Sequence, residues 1–167
     1  MPDAWDTSVA SRVSSGSRHA PLLAAHHHAG TPIPLPAPTI QELVRGAALA
    51  PRTRAGGRSR WLVRLLADPL IEVIPFAGPA GQLSGRLLAQ LPHPPSRNRR
   101  RTATRAQQRA AWTLDVQIAA CAFAGGYGVL TENVDDFGLL RDAIADLLPQ
   151  TPPLVVRDAR EAAGSPA

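Results

Sequence analysis

The sequence predicts an α/β fold in which a short parallel sheet is flanked by helices. Short apolar runs typical of buried strands alternate with amphipathic helical stretches, and that order produces a parallel sheet covered on both faces. The clearest helix, at 112–126, runs directly into an apolar strand at 127–131. The 167 residues suffice for one well-developed core and leave little room for two independent domains. We therefore assign residues 1–157 to a single domain and residues 158–167 to a tail.

Local patterns predict the elements of the first half in chain order. A very short strand ends near Asp6, and residues 31–38 are extended, although their alternate prolines cannot donate to a sheet ladder. Apolar residues at helical spacing predict a helix from Thr39, which is a candidate N-cap. Two further helices are expected at 56–69 and 80–91, separated by a strand with the sequence LIEVIPF.

The second half begins with an Arg- and Pro-rich stretch at 92–109, which predicts an exposed connection. The helix that follows begins close to Asp115 and ends at a glycine pair in the manner of a C-cap. Two short strands, at 127–131 and 153–156, then enclose a small helix at 137–148.

Composition restricts the classes of function. The formal charge is +5 and all 18 basic residues are arginine, which is only modest support for an anionic partner such as nucleic acid. The single cysteine, Cys121, excludes an intramolecular disulfide, fits a reducing compartment, and is expected to be a buried thiol. No apolar run approaches the roughly 20 residues that cross a bilayer, and the amino terminus lacks the layout of a secretory signal. We expect a cytoplasmic protein without a membrane partner.

Four carboxylates follow or flank the predicted strands: Asp6, Glu42, Asp115 and Asp136. In parallel α/β sheets, ligands bind outside the carboxyl ends of the strands, so these side chains are expected to converge at one edge. Like charges about 5 Å apart repel by roughly 3 kcal/mol at an effective dielectric constant of 20. A bound cation would relieve that repulsion, so the pattern indicates a metal site.

Each carboxylate also has a structural interpretation. Glu42 lies three residues after Thr39, which is the spacing of a capping box. Asp115, near the predicted start of a helix, would interact favourably with the helix dipole. Asp135 or Asp136 could cap the next helix, and Asp6 could be a turn residue. One metal site accounts for all four together, whereas these alternatives account for each separately.

Three blocks of the sequence resemble PIN-domain proteins of the VapC type, the toxin component of a bacterial toxin–antitoxin pair. WDTSV at 5–9 is similar to the opening motif Leu-Asp-Thr-Asn-Val, and PTIQELVRGA at 38–47 is similar to Thr-x-x-Glu-Leu-x-x-Gly. Residues 114–137 match the Asp-x-x-Ile-Ala-Ala helix, the apolar strand and the Thr-x-Asn-x-x-Asp-Phe turn, and this block is the most specific. The first strand is shorter than is usual in the family.

The resemblance implies a PIN-like three-layer fold and a metal-dependent endoribonuclease. Asp6, Asp115 and Asp136 would hold Mg²⁺, or Mn²⁺, directly or through water, and Glu42 would ligate or orient the attacking water. Three polar residues would orient the carboxylates: Ser8, Thr131 and Asn133.

The resemblance also implies an RNA substrate and a cognate antitoxin protein. Six arginines are candidates for contacts with RNA phosphates, the alternative being a solvated loop: Arg97, Arg99, Arg100, Arg101, Arg105 and Arg109. A homodimer formed through the helices at 62–66 and 83–91 is also expected. Two other functions stay open, namely a catalytically inactive PIN-fold module that binds RNA or protein, and a housekeeping RNA-processing nuclease.

Overall fold

Five short strands form two parallel sheets in the computed structural model, which describes residues 1–14, 16–94 and 103–162. One sheet contains β1 (Asp3–Trp5), β4 (Gly128–Thr131) and β5 (Val156–Asp158), with β4 in the centre. The other contains β2 (Ile33–Pro36) and β3 (Ile71–Ile74), and β2 lies beside β1. The register pairs Trp5 with Leu130, so β1 and β4 end at the same edge.

Helices cover the strands and connect them. In chain order they are α1 (Thr7–Ala10), α2 (Ala20–Ala29), α3 (Ala37–Ala48), α4 (Arg52–Leu66), α5 (Gly78–Gln90), α6 (Arg105–Gly125), α7 (Val134–Leu147) and α8 (Ala159–Ala162).

The prolines of β2 explain why β1 and β2 are neighbours without belonging to one hydrogen-bonded sheet. The N–H of Ile33 donates to Leu70 O at 2.7 Å, on the side of β3. Successive N–H groups of a strand point to opposite edges, so the positions that lack a donor, Pro34 and Pro36, lie on the edge that faces β1. The alternating prolines are therefore compatible with a strand that is hydrogen-bonded along a single edge.

Two groups of buried side chains pack on opposite faces of the strands. Ala4 and Val129 belong to the group that includes α5, α6 and α7, whereas Trp5 and Leu130 belong to the group that includes α1, α3 and α4. Because successive residues of a strand point to opposite faces, the two groups form separate layers around the sheet. The result is the three-layer α/β arrangement that the sequence predicts.

Among the predicted helix starts that differ from the structure, two concern candidate site residues. The helix α6 begins at Arg105, inside the stretch predicted to be an exposed connection, because Thr104 and Gln107 form a capping box. Asp115 therefore lies in the middle of α6 rather than in its first turn. The helix α3 begins at Ala37, so Thr39 is not its N-cap; the buried Thr39 hydroxyl instead donates to Trp5 O at 3.2 Å.

The carboxyl-terminal boundary also differs from the sequence-based assignment. Residues 158–162, assigned to a tail, complete β5 and form α8, and Ala159 is fully buried. The folded domain thus continues to residue 162, where the described part of the chain ends.

Candidate active site at the carboxyl edge of the sheet

Asp6 occupies the position directly after β1 and is the N-cap of α1. Its Oδ1 accepts a hydrogen bond from the Thr7 N–H at 2.6 Å, and its Oδ2 accepts one from the Ser8 hydroxyl at 2.8 Å. The side chain is only 4% exposed. An acid followed by a hydroxyl residue two positions later produces this arrangement locally, because the cap satisfies the first free N–H groups of the helix.

Thr131, the last residue of β4, connects Asp6 to the other end of the chain. Its hydroxyl donates to Asp6 Oδ2 at 2.8 Å and accepts a hydrogen bond from the Asn133 N–H at 2.9 Å. The Asn133 side chain in turn donates to Asp136 Oδ2 at 2.9 Å, and Asp136 is 1% exposed. One chain of hydrogen bonds therefore runs from Asp6 through Thr131 and Asn133 to Asp136.

The position of Asp136 argues against a capping role. It lies inside α7, whose N-cap is Asn133, and the Asn133 side chain makes no capping hydrogen bond. The alternative interpretation of Asp136 as a cap is thus wrong, and the carboxylate points into the hydrogen-bonded chain described above.

Burial has the largest effect on the pKa of the Asp6 carboxyl. It raises the pKa of Asp6 above its ordinary value, although hydrogen bonds from Ser8, Thr131 and the Thr7 N–H act in the opposite direction. A carboxyl group with a raised pKa at the end of a strand is typical of a functional site, because pure stability would favour an uncharged residue there.

Glu42 and Asp115 lie on two helices that pack against each other, α3 and α6. Glu42 is partly exposed and lines a cleft of about 680 Å³ between α1, α3 and α4, together with Thr7 and Trp61. Asp115 is partly buried, and its place in the middle of α6 removes the helix-dipole interpretation, since that effect is confined to the first turn.

The predicted metal site requires several acidic side chains to lie close together. Within residues 1–14, 16–94 and 103–162, no three His, Cys, Asp or Glu side chains come together in a way that could hold a metal ion. The donor chemistry suits Mg²⁺ or Mn²⁺, because all four candidates are carboxylates. The hydrogen-bonded chain joins two of the four, Asp6 and Asp136.

Solved structures show which known fold this is. The chain is similar to VapBC2 from Rickettsia felis bound to a promoter DNA fragment, with 15% identity and a TM-score of 0.59 over 95% of this chain and 98% of that one. It is similar to VapBC-1 from nontypeable Haemophilus influenzae, with 18% identity and a TM-score of 0.58 over 95% and 98%. It also resembles VapBC-5 from Mycobacterium tuberculosis, a member of the VapBC family of toxin–antitoxin systems, with 22% identity and a TM-score of 0.55 over 94% and 96%. The chain has the PIN-domain fold.

The fold prediction is confirmed by this likeness, which spans nearly the whole chain. No protein-family model and no curated protein matches the sequence. At these identities the likeness shows the fold alone, and the chemistry of this PIN domain depends on its own residues.

Sequence reasoning missed a group of side chains beside Asp6. Glu132 accepts hydrogen bonds from Arg12 and from the buried His19, the latter at 2.7 Å. Glu132 stands between Thr131 and Asn133 in the turn that follows β4, so its position was visible in the sequence. Its partners were not, because no local pattern links a residue near position 12 or 19 with one at position 132.

The arginines proposed for RNA contacts divide into two sets. Arg97, Arg99, Arg100 and Arg101 lie outside the described residues. Arg105 and Arg109 stand one turn apart on α6, are exposed, and line a small cleft with His93. They form part of a helix rather than of the loop that was predicted.

The leucines expected to mediate a homodimer are largely used inside the PIN domain itself. Leu62, Leu65, Leu83 and Leu87 are all buried in its core. Val63, by contrast, is 67% exposed on the outer side of α4. The homodimer stays a prediction, and α4 offers less apolar surface for it than the sequence indicated. No helix in the described part of the chain is long and apolar enough to span a membrane.

Proposed function

We propose that this PIN domain is an RNA-cleaving toxin that an antitoxin protein holds in check. The observation that carries the proposal is the hydrogen-bonded chain from Asp6 to Asp136 at the carboxyl edge of the sheet. It places two buried carboxylates where parallel α/β folds bind their ligands, and it uses Thr131 and Asn133, the residues that the family resemblance assigns to orientation.

The proposal includes a requirement for Mg²⁺ or Mn²⁺, with Asp6, Asp115 and Asp136 as ligands and Glu42 near the attacking water. Its support is chemical, since carboxylate oxygens are the ligands that these cations prefer. Among the described residues no three such side chains are placed to hold a metal ion, so binding would need a change of side-chain conformation at the site. The requirement for a cation is therefore measured by experiment, and it does not support the proposal.

The decisive experiment is cleavage of a defined single-stranded RNA by the purified protein, with Mg²⁺ and with a chelator. We expect cleavage that is lost on chelation and that falls by at least about 10-fold in Asp136→Asn, because a group that orients or holds the reacting centre is removed. The matched control is Asp142→Asn, which alters a 64% exposed side chain on the same helix. Cleavage that survives both chelation and Asp136→Asn would refute the proposed site.

One observation favours a second function, a catalytically inactive PIN-fold module that binds RNA. It is the failure of three acidic side chains to come together within the described ranges. In that case the wild-type protein binds RNA without cutting it, whether or not Mg²⁺ is present. Binding should weaken with salt, with a log–log slope of about −0.7 for each phosphate neutralised on a single strand, and Arg105→Ala with Arg109→Ala should reduce that slope.

An antitoxin partner is supported by the solved structures to which the chain is similar, which are VapBC complexes. The cleft beside Glu42 is a candidate contact for such a partner. Gly46 lines this cleft, and a Cβ at Gly46 would meet open space. We expect Gly46→Trp to weaken co-purification with a protein encoded next to this gene, whereas Gly85→Trp, at an exposed and equally open position on α5, should not.

A further inference from the structure

The segment that joins α1 to α2 has little regular structure, yet it is anchored in the protein. Residues 11–14 and 16–19, which we call the α1–α2 segment, form turns and bends. Two of its side chains, Val13 and His19, are 2% and 0% exposed. A segment of this kind needs specific contacts to keep one conformation, because it lacks the repeated hydrogen bonds of a helix or strand.

Glu132 supplies those contacts with its side chain. It accepts hydrogen bonds from Arg12 and from His19 Nε2, the latter at 2.7 Å, and Arg18 Nη1 lies 3.5 Å away. Burial alone would raise the pKa of Glu132, but the hydrogen bond with His19 and the charge and hydrogen bond of Arg12 outweigh it and hold the pKa below its ordinary value. Glu132 is therefore ionised at neutral pH, and hydrogen bonds to a charged acceptor are the stronger kind.

The same residue is connected to Asp6 through its backbone. The Glu132 N–H donates to Ser8 Oγ at 3.0 Å, and the Ser8 hydroxyl donates to Asp6 Oδ2 at 2.8 Å. One hydroxyl group thus accepts from the turn after β4 and donates to the carboxylate after β1. A displacement of the Glu132 backbone would remove the N–H donor to Ser8 Oγ, and this donor helps to orient the Ser8 hydroxyl toward Asp6.

The α1–α2 segment also borders the cleft that contains Glu42. Ser11 and Ser14 line this cleft. The contacts of Glu132 with Arg12 and His19 therefore fix the segment that forms one wall of the cleft. The Glu132 backbone N–H, through Ser8, supports the hydrogen bonding of Asp6.

We propose that Glu132 is a positioning residue, which locks the α1–α2 segment against the turn after β4 and so keeps Asp6 and the wall of the Glu42 cleft in place. Its effect on RNA cleavage rests on the proposed function, whereas its effect on the α1–α2 segment does not. The two parts can therefore fail separately.

The test compares wild type with Glu132→Gln and Glu132→Ala, and with Asp142→Asn as an exposed acidic control. Limited trypsin digestion of the native proteins measures cutting after Arg12 and Arg18, which follows opening of the segment. RNA cleavage under saturating and limiting substrate separates kcat from KM. Thermal melting shows whether each variant is folded at the temperature of the assays.

We expect cutting after Arg12 and Arg18 to become about 10-fold faster in Glu132→Ala, with a smaller increase in Glu132→Gln and none in the control. We expect kcat to fall by about 10-fold to 100-fold with KM changed less than about twofold, because the residue acts through Asp6 and does not touch RNA. Trypsin cutting at the wild-type rate in a folded Glu132→Gln protein overturns the proposal. A wild-type protein that cuts no RNA refutes the proposed function, and the digestion result then decides the positioning role alone.

Discussion

The hydroxyl of Thr131 donates a hydrogen bond to Asp6 Oδ2 at 2.8 Å, and 125 positions of sequence separate the two residues. Both are buried; Thr131 ends β4 and Asp6 directly follows β1, and the parallel register of the two strands brings these positions together. The hydrogen bond is therefore a consequence of strand pairing, and it connects the first block of the family resemblance to the last.

Replacing Thr131 with Val should destabilise the protein by about 1–3 kcal/mol, because the change leaves Asp6 without one donor and the Asn133 N–H without its acceptor. Urea unfolding measures the free energy. Thr113→Val is the matched control, since the Thr113 hydroxyl only bonds to Arg109 O within its own helix. A Thr131→Val protein no less stable than this control would show that the hydrogen bond contributes little.

The stability of the protein should depend on pH through Asp6. Its pKa is raised by burial in the folded state, so the folded protein keeps a proton that the unfolded chain has lost above about pH 3.8. The stability of wild type relative to Asp6→Asn should therefore fall as the pH rises from about 3.8 to the raised pKa, and level off above it. Urea unfolding across this range gives the slope. The opposite slope would mean that the hydrogen bonds of Asp6 outweigh its burial.

Gly128 should not tolerate a side chain. A Cβ there would lie 2.3 Å from Asp3 Oδ1 and 3.2 Å from Val155 O, so Gly128→Ala would displace the Asp3 carboxylate and crowd the Val155 carbonyl. We expect a loss of about 1–3 kcal/mol in the free energy of unfolding. Gly138→Ala is the control: a Cβ there meets nothing within 4 Å on α7, and the change should stabilise the helix by about 0.5–1 kcal/mol. Equal effects of the two substitutions would contradict the packing around β4.

Cys121 should be unreactive in the native protein. It is fully buried, and desolvation raises the pKa of its thiol to about 11. Since the thiolate is the reactive form, iodoacetamide at pH 8 should label Cys121 in denaturant but not in buffer. Mass spectrometry of the intact protein measures the labelling, and rapid native labelling would place the thiol at an accessible surface. The burial of Cys121 in the structure agrees with the sequence-based expectation of a buried thiol.

Sequence patterns determined what depends on near neighbours along the chain. The acid–hydroxyl pair after a short strand predicts the position of Asp6, and the turn after β4 predicts Thr131, Asn133 and Asp136, all of which the structure joins. The start of α6 was within reach as well, because Thr104 and Gln107 have the spacing of a capping box. The many arginines around this pair instead indicated an exposed connection.

Only the tertiary structure decided what depends on elements distant in sequence. The pairing of His19 with Glu132 joins positions 113 residues apart, and no local rule connects them. The positions of Glu42 and Asp115 relative to Asp6 depend on how α3 and α6 pack, which residue spacing does not specify. The physical reason is that a local pattern sets the conformation of a few consecutive residues, whereas a site is formed by the relative positions of several packed elements.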